Sequence, residues 1–127
     1  MMNYKPSGYT SVAPYLIVED SEHTLNFVKA VFKAEQLRVI RNDDGSIMHG
    51  EARIDDTVIM VGQMAGVGNA HVHVYVDGID AAFLRAVEAG GVVVEELSLK
   101  DDGDRRGGVR DRNGTTWWLG RQELGQH

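Results

Sequence analysis

Phe27-Val28-Lys29-Ala30-Val31-Phe32 returns later in the chain as Phe83-Leu84-Arg85-Ala86-Val87, and this echo decides the fold. Phe27 falls on Phe83, Ala30 on Ala86 and Val31 on Val87, so each half carries an amphipathic helix of the same kind. The match extends beyond the helices: Gly50 falls on Gly108, Thr57 on Thr115 and Gly62 on Gly120. Similar hairpins therefore follow similar helices, which is the mark of an internal repeat.

Working outward, each half reads strand, helix, strand, strand, strand. Thr10 to Glu19 is rich in β-formers, and Asp20-Ser21 is an N-cap before Leu25, Val28 and Phe32 on one helical face. Strands are expected at Gln36 to Arg41, Met48 to Ile54 and Thr57 to Val61, the last two joined by a tight turn at Asp55-Asp56. In the second half, His71 to Val76 alternates as a strand, and Asp80 to Ala89 places Phe83, Leu84 and Val87 on a helical face. Gly90-Gly91 stops that helix. Strands at Val92 to Leu99, Gly108 to Arg112 and Thr115 to Leu119 follow, with Asn113-Gly114 signalling a type I′ hairpin. The fold class is α+β: two tandem βαβββ modules, about residues 9–63 and 70–122, whose curved mixed sheets surround a cleft within one domain of residues 1–127. The residues leave one alternative, that two βα units share apolar periodicity by chance within a single ferredoxin-like sandwich.

Composition narrows the function. At 127 residues with 43% apolar and 25% charged side chains, the chain buries a core without help from a metal or a disulfide. It has no Cys, which excludes thiolate ligands and a Cys nucleophile and is compatible with a reducing compartment. No apolar run is long enough for a membrane span and the amino-terminal residues have no signal-like apolar stretch, so a cytoplasmic location is expected. A formal net charge of −6, with one basic cluster at Arg105, Arg106, Arg110 and Arg112, disfavours nucleic acid. Arg105 and Arg106 are expected in a polar loop, ordered by Asp101, Asp102 or Asp104. There is no nucleophile elbow, no phosphate-binding loop ahead of a helix and no zinc-finger spacing.

The segment Gly103-Asp104-Arg105-Arg106-Gly107-Gly108-Val109-Arg110-Asp111-Arg112-Asn113-Gly114, followed by Trp117, resembles the closing signature of the PhnB-like branch of the vicinal oxygen chelate superfamily, the group of glyoxalase I, bleomycin-resistance proteins and ring-cleaving dioxygenases. Ala13 to Asp20, Phe27 to Phe32 and Asp44 to Glu51 resemble its first strand, first helix and third strand, in the expected order from about Tyr9 to Gln122. Val28 stands where that branch usually has Tyr, and Lys33 where it usually has Gly. The resemblance implies a homodimer with its ligand cleft near the subunit boundary. Metal-dependent members carry one ligand on each of the first, fourth, fifth and eighth strands; those positions fall here on Ala13 or Pro14, near Met60, on His71 and near Trp118. Three of the four ligands are missing. No cofactor is therefore expected. The alternative is a displaced Zn²⁺ or Ni²⁺ site on His71 and His73, which point the same way from one strand, completed by Glu51 or His49.

Strand alternation fills in the wall of the cleft. Val72, Val74 and Val76 share the helix-facing side, leaving His71, His73 and Tyr75 toward the cleft; Trp117 and Leu119 point one way, Thr116 and Trp118 the other. Met48, Ala52 and Ile54 form the apolar side of the third strand, with His49, Glu51 and Arg53 opposite. Candidate ligand-binding residues are thus Tyr15, Glu51, Met60, His71, His73, Tyr75 and Trp118; no catalytic residue stands out. They suit a metal-free protein that holds an aromatic or cationic small molecule, with stacking from the aromatic groups and Glu51 as partner for a ligand cation. The competing possibilities are a metal-dependent lyase, isomerase or dioxygenase on His71 and His73, and a metal-free enzyme with a His base.

Overall fold

The computed structural model describes residues 6–66 and 69–124. The element order is β1 (Tyr15–Val18), α1 (Ser21–Phe32), β2 (Glu35–Arg41), β3 (Ile47–Ile54), β4 (Thr57–Gln63), then β5 (His71–Tyr75), α2 (Ile79–Glu88), β6 (Val92–Leu99), β7 (Asp104–Arg110) and β8 (Thr116–Gln122). They make two four-stranded mixed sheets, ordered β1-β4-β3-β2 and β5-β8-β7-β6, each with its first strand parallel to its last. The two tandem βαβββ modules are thus present, and the single ferredoxin-like sandwich is not the fold.

Each helix arises where the sequence placed it, although its ends differ. The Asp20 carboxylate accepts from the His23 N–H at 3.1 Å and opens α1. α1 buries Thr24, Leu25, Phe27, Val28 and Val31. It ends at Lys33, which takes the left-handed conformation with φ 59°, and Ala34 N–H donates to the Val28 carbonyl at 3.2 Å. α2 buries Ile79, Ala82, Phe83 and Ala86; Leu84 and Val87, expected on its core face, are exposed. Gly90, at φ 97°, supplies the stop. The two modules join through these helices and through Trp117, which is fully buried against Phe27 and Phe32 at ring separations of 5.8 and 5.6 Å. Asn113 adds a polar clasp: its amide donates to the Asp20 carbonyl and Thr24 hydroxyl at 2.7 and 2.8 Å and accepts from Asp20 N–H at 3.0 Å.

Strand boundaries bring four corrections. β1 begins at Tyr15, not Thr10: Pro14 and Thr10 still accept from the Met60 and Val58 N–H groups of β4, at 2.9 and 3.4 Å, but residues 9–14 form no strand. β7 begins at Asp104, so Arg105 and Arg106 lie in a strand opposite Leu99 and Ser98, not in a loop. Arg106 does pair with Asp102 and Asp104, at 3.2 and 3.5 Å, while Arg105 reaches Asp80 at 2.7 Å. The turn at Asn113-Gly114 is not type I′: only Gly114 has positive φ, Gly114 N–H donates to the Asp111 carbonyl, and Asp111 N–H donates to that of Thr115. That is a three-residue loop closed by a left-handed Gly. Finally, Met48 is exposed and Ile47 is buried in its place, because a bulge in β3 shifts the register between Ile40↔His49 and Arg41↔Ile47.

These offsets change how the halves correspond. Gly50 pairs with Val61 in β4, and Leu119, the equivalent of Val61, pairs with Gly107. The structural partner of Gly50 is therefore Gly107, and that of Glu51 is Gly108. Module 1 spends its extra residue in the β3 bulge; module 2 spends its own in the β7–β8 loop.

Candidate functional site

Alternation in β3 turns Gly50, Ala52 and Ile54 toward the core and His49, Glu51 and Arg53 to the other face. Glu51 stands opposite Met60 of β4, which in turn pairs with Tyr15 of β1. Although it is a carboxylate, Glu51 is only 5% exposed. Both its oxygens are occupied: Tyr9 Oη donates to Oε1 at 2.5 Å, and His49 Nε2 bonds Oε2 at 2.8 Å. The opposite imidazole nitrogen, His49 Nδ1, meets the Tyr15 hydroxyl at 3.0 Å. Tyr9, Glu51, His49 and Tyr15 thus form one continuous hydrogen-bonded chain across the sheet.

Burial pushes the Glu51 carboxyl up, but the hydrogen bonds from His49 and Tyr9, with the electrostatic pull of His49 and Arg38, outweigh it and hold Glu51 below its ordinary value. The Tyr9 phenol is pushed the other way, first by its bond to Glu51. Residues near Tyr9 are pinned in place by Arg53, whose guanidinium donates to the Gly8 carbonyl at 2.6 Å and to Glu35 at 2.9 Å. The segment overhangs a solvent-open cavity of about 450 Å³ walled by Tyr9, Thr10, Arg38, Glu51 and Met60. Arg38 reaches this wall because a bulge in β2, between Gln36 and Val39, sets it beside Glu51.

The second sheet carries a different surface. His71 lies beside Trp118 with centroids 6.3 Å apart and planes 13° from parallel, and the indole N–H donates to His71 Nδ1 at 3.1 Å. His73 packs edge-on to Tyr75 at 4.6 Å, and Tyr75 Oη donates to the buried Asp104 at 2.8 Å. The His73 imidazole is lowered from its ordinary value, foremost by loss of water around the ring and next by the Arg106 charge, against the pull of Asp104 and Asp102. His73 and Tyr75 also border a second cavity, of about 360 Å³, facing Pro14 and the β3–β4 turn.

Of the residues named from sequence, the chain therefore gathers Tyr15, Glu51 and Met60 on one sheet, and His71, His73, Tyr75 and Trp118 on the other. Among the described residues, no strand of one sheet pairs with a strand of the other. None of the second group borders the 450 Å³ cavity. Sequence reasoning missed Tyr9 and Arg38. The only available signal was polar: Arg38 interrupts the apolar pattern of Leu37, Val39 and Ile40, and Tyr9 stands where the family resemblance begins.

The donor set does not fit the four-strand metal site of the fold. His71 Nδ1 accepts a hydrogen bond from Trp118, so Nε2 of a neutral ring holds the proton, the reverse of a ligating imidazole that binds through one nitrogen and donates from the other. Ala13, Met60 and Trp118 supply no hard donor. Among the described residues no three His, Asp or Glu side chains cluster as a metal-binding group.

The family model of the Glyoxalase/Bleomycin resistance protein/Dioxygenase superfamily matches residues 9–119, and the chain belongs to that superfamily. It is 34% identical over 124 residues to the uncharacterized protein Mb0911c of Mycobacterium bovis, covering 87% of this chain and 82% of that one. Among solved structures, TioX from Micromonospora sp. ML1 shares 24% identity with a TM-score of 0.77, over 89% of this chain and 98% of TioX. FosX, a fosfomycin resistance protein from Listeria monocytogenes, shares 16% at a TM-score of 0.70, over 92% and 96% of the two chains. These structural likenesses show the same fold. No helix among the described residues is long and apolar enough to cross a membrane.

Proposed function

We propose that this protein binds an aromatic or cationic small molecule without a complete metal site. The observation that carries the proposal is Glu51: an ionised carboxylate, 5% exposed, set beside Met60 in the wall of a 450 Å³ cavity. A buried charge with both oxygens bonded is costly to keep as mere packing, and its field favours positive charge in the adjoining space. The cavity has the size of small-molecule pockets, about 300–1,000 Å³.

The second sheet offers the near-parallel His71 and Trp118 rings, joined side by side, as a platform for a ring. We place the protein in the PhnB-like branch on its closing segment, Gly103 to Gly114, and read it as a cytoplasmic homodimer. Support for pairing comes from apolar side chains left open on both sheets: Tyr15, Ile17 and Met48 on one, Tyr75 and Val94 on the other. In such a pair the two sheet faces, separate within one chain, close a common cleft.

Two measurements test this. Elemental analysis of protein purified without a tag or chelator is expected to show no stoichiometric metal; a divalent ion retained by the wild type and lost from the His71→Ala, His73→Ala double variant overturns the metal-free reading. Calorimetric titration with 2-phenylethylamine, an aromatic cation, is expected to show saturable binding that weakens in Glu51→Gln.

A further inference from the structure

Arg38 stands out among the arginines near the site. Arg53 is bound to Gly8 and Glu35, Arg106 to Asp102 and Asp104, Arg105 to Asp80, and Arg85 to the Val31 carbonyl. Arg38 is exposed and, among the described residues, has no hydrogen bond or ion pair. Glu51, of opposite charge, borders the same cavity and feels its field. The two do not pair; Glu51 is engaged by Tyr9 and His49 with one bond on each oxygen, which leaves each oxygen a second lone pair. A cation and a buried anion thus border one cavity of about 450 Å³.

Ligands of a single charge meet this arrangement badly. An amine satisfies Glu51 but leaves Arg38 beside a second positive charge. An acid satisfies Arg38 but brings a second negative charge to a carboxylate already removed from water. A molecule with both charges and an apolar body is attracted by both groups, and Met60 and the Tyr9 ring supply apolar surface in the same cavity. We propose that the cavity selects a zwitterionic small molecule, its carboxylate forked on the Arg38 guanidinium and its ammonium turned to the Glu51 wall. The proposal rests on the small-molecule binding described above and narrows its ligand from cationic to amphoteric. Arg38 is the specificity-determining residue: a planar fork matches a carboxylate in two hydrogen bonds, which an ammonium in its place does not reproduce.

Three probes share a phenethyl body and differ in which charged groups they carry: L-phenylalanine, 2-phenylethylamine and 3-phenylpropionate. By calorimetry at pH 7, L-phenylalanine is expected to bind about tenfold tighter than either of the others, the effect of one additional well-placed charged contact. Arg38→Gln is expected to bring L-phenylalanine down to the level of the amine while leaving the amine unchanged or slightly improved, and Arg38→Lys to recover part of the preference. Arg38 is exposed, so neither variant endangers the fold, and unchanged thermal transitions check this. An amine that binds the wild type as well as L-phenylalanine overturns the zwitterion proposal and leaves the binding function standing. So does a preference for L-phenylalanine that survives Arg38→Gln. Absence of binding by all three removes both.

Discussion

The two modules share an architecture and differ in what they place at the same point of it. Glu51 in module 1 corresponds to Gly108 in module 2, Met60 to Trp118 and Tyr15 to His73. A Cβ on Gly108 would lie 2.7 Å from the Trp118 ring and 2.9 Å from Val94. Glycine at that position lets an indole lie flat across the sheet, where module 1 instead has a carboxylate, a thioether and a cavity. One framework thus yields a charged hollow in one half and an aromatic plate in the other through a few exchanges of side-chain volume.

The comparison is broken most severely at Trp117, whose counterpart in module 1 is Ile59. Trp117 is fully buried against two rings of module 1, and its indole N–H donates to Asp111 at 2.9 Å. Trp117→Ala is expected to cost about 3–5 kcal/mol in denaturant unfolding. The two modules should still unfold in one transition, since this ring belongs to the core of both. Two transitions would show them to be separable.

The helix-facing glycines make a finer distinction. A Cβ at Gly107 meets Phe83 at 2.7 Å and backbone atoms of Glu95 and Leu97 at 3.0 Å, whereas one at Gly50 meets only side chains, Leu25 at 2.7 Å first. Gly107→Ala is expected to lose about 1–3 kcal/mol and Gly50→Ala less, because Leu25 can turn aside and a strand cannot. Equal losses would mean that α1 is as tightly held as the β6 backbone.

Acid separates the two faces. Glu51 titrates below its ordinary 4.5 in the folded protein, so its stabilising contribution is complete above that pH and is lost as pH falls through the folded value. Melting temperatures followed downward from pH 4.5 should drop more steeply for the wild type than for Glu51→Gln. Parallel curves would assign the acid sensitivity to other carboxylates. The smallest effect is at the helix ends: α1 closes on Lys33 at φ 59° and α2 on Gly90 at φ 97°. Lys33→Gly is expected to gain about 0.5–1 kcal/mol by removing a left-handed side-chain penalty.

The repeat, the helix positions and the inward or outward sense of β5 and β8 were legible in sequence because each depends on local periodicity. Trp117 and Trp118 divide between core and face as their alternation required. Met48, Arg38 and the pairing of Gly50 were not legible, since a bulge leaves composition unchanged while it moves a side chain to the other face. Leu84 and Val87 misled for another reason: exposed apolar residues widened the apparent face of α2 beyond what it buries. The candidate site was half visible. Glu51 and Met60 could be named, but Tyr9 comes from outside any strand and only the folded chain lays it over the carboxylate.

The bulge at Met48 also bears on which lengths of chain this sheet tolerates. Loss of one residue from a regular strand inverts every position on one side of the cut, and here it would turn a charged group into the core. Removing Met48 instead restores simple alternation between Ile47 and His49, the pattern that β7 already has. Met48 is therefore a place where a deletion can be absorbed within a strand, and a natural point at which homologous chains can differ in length without exchanging inside for outside.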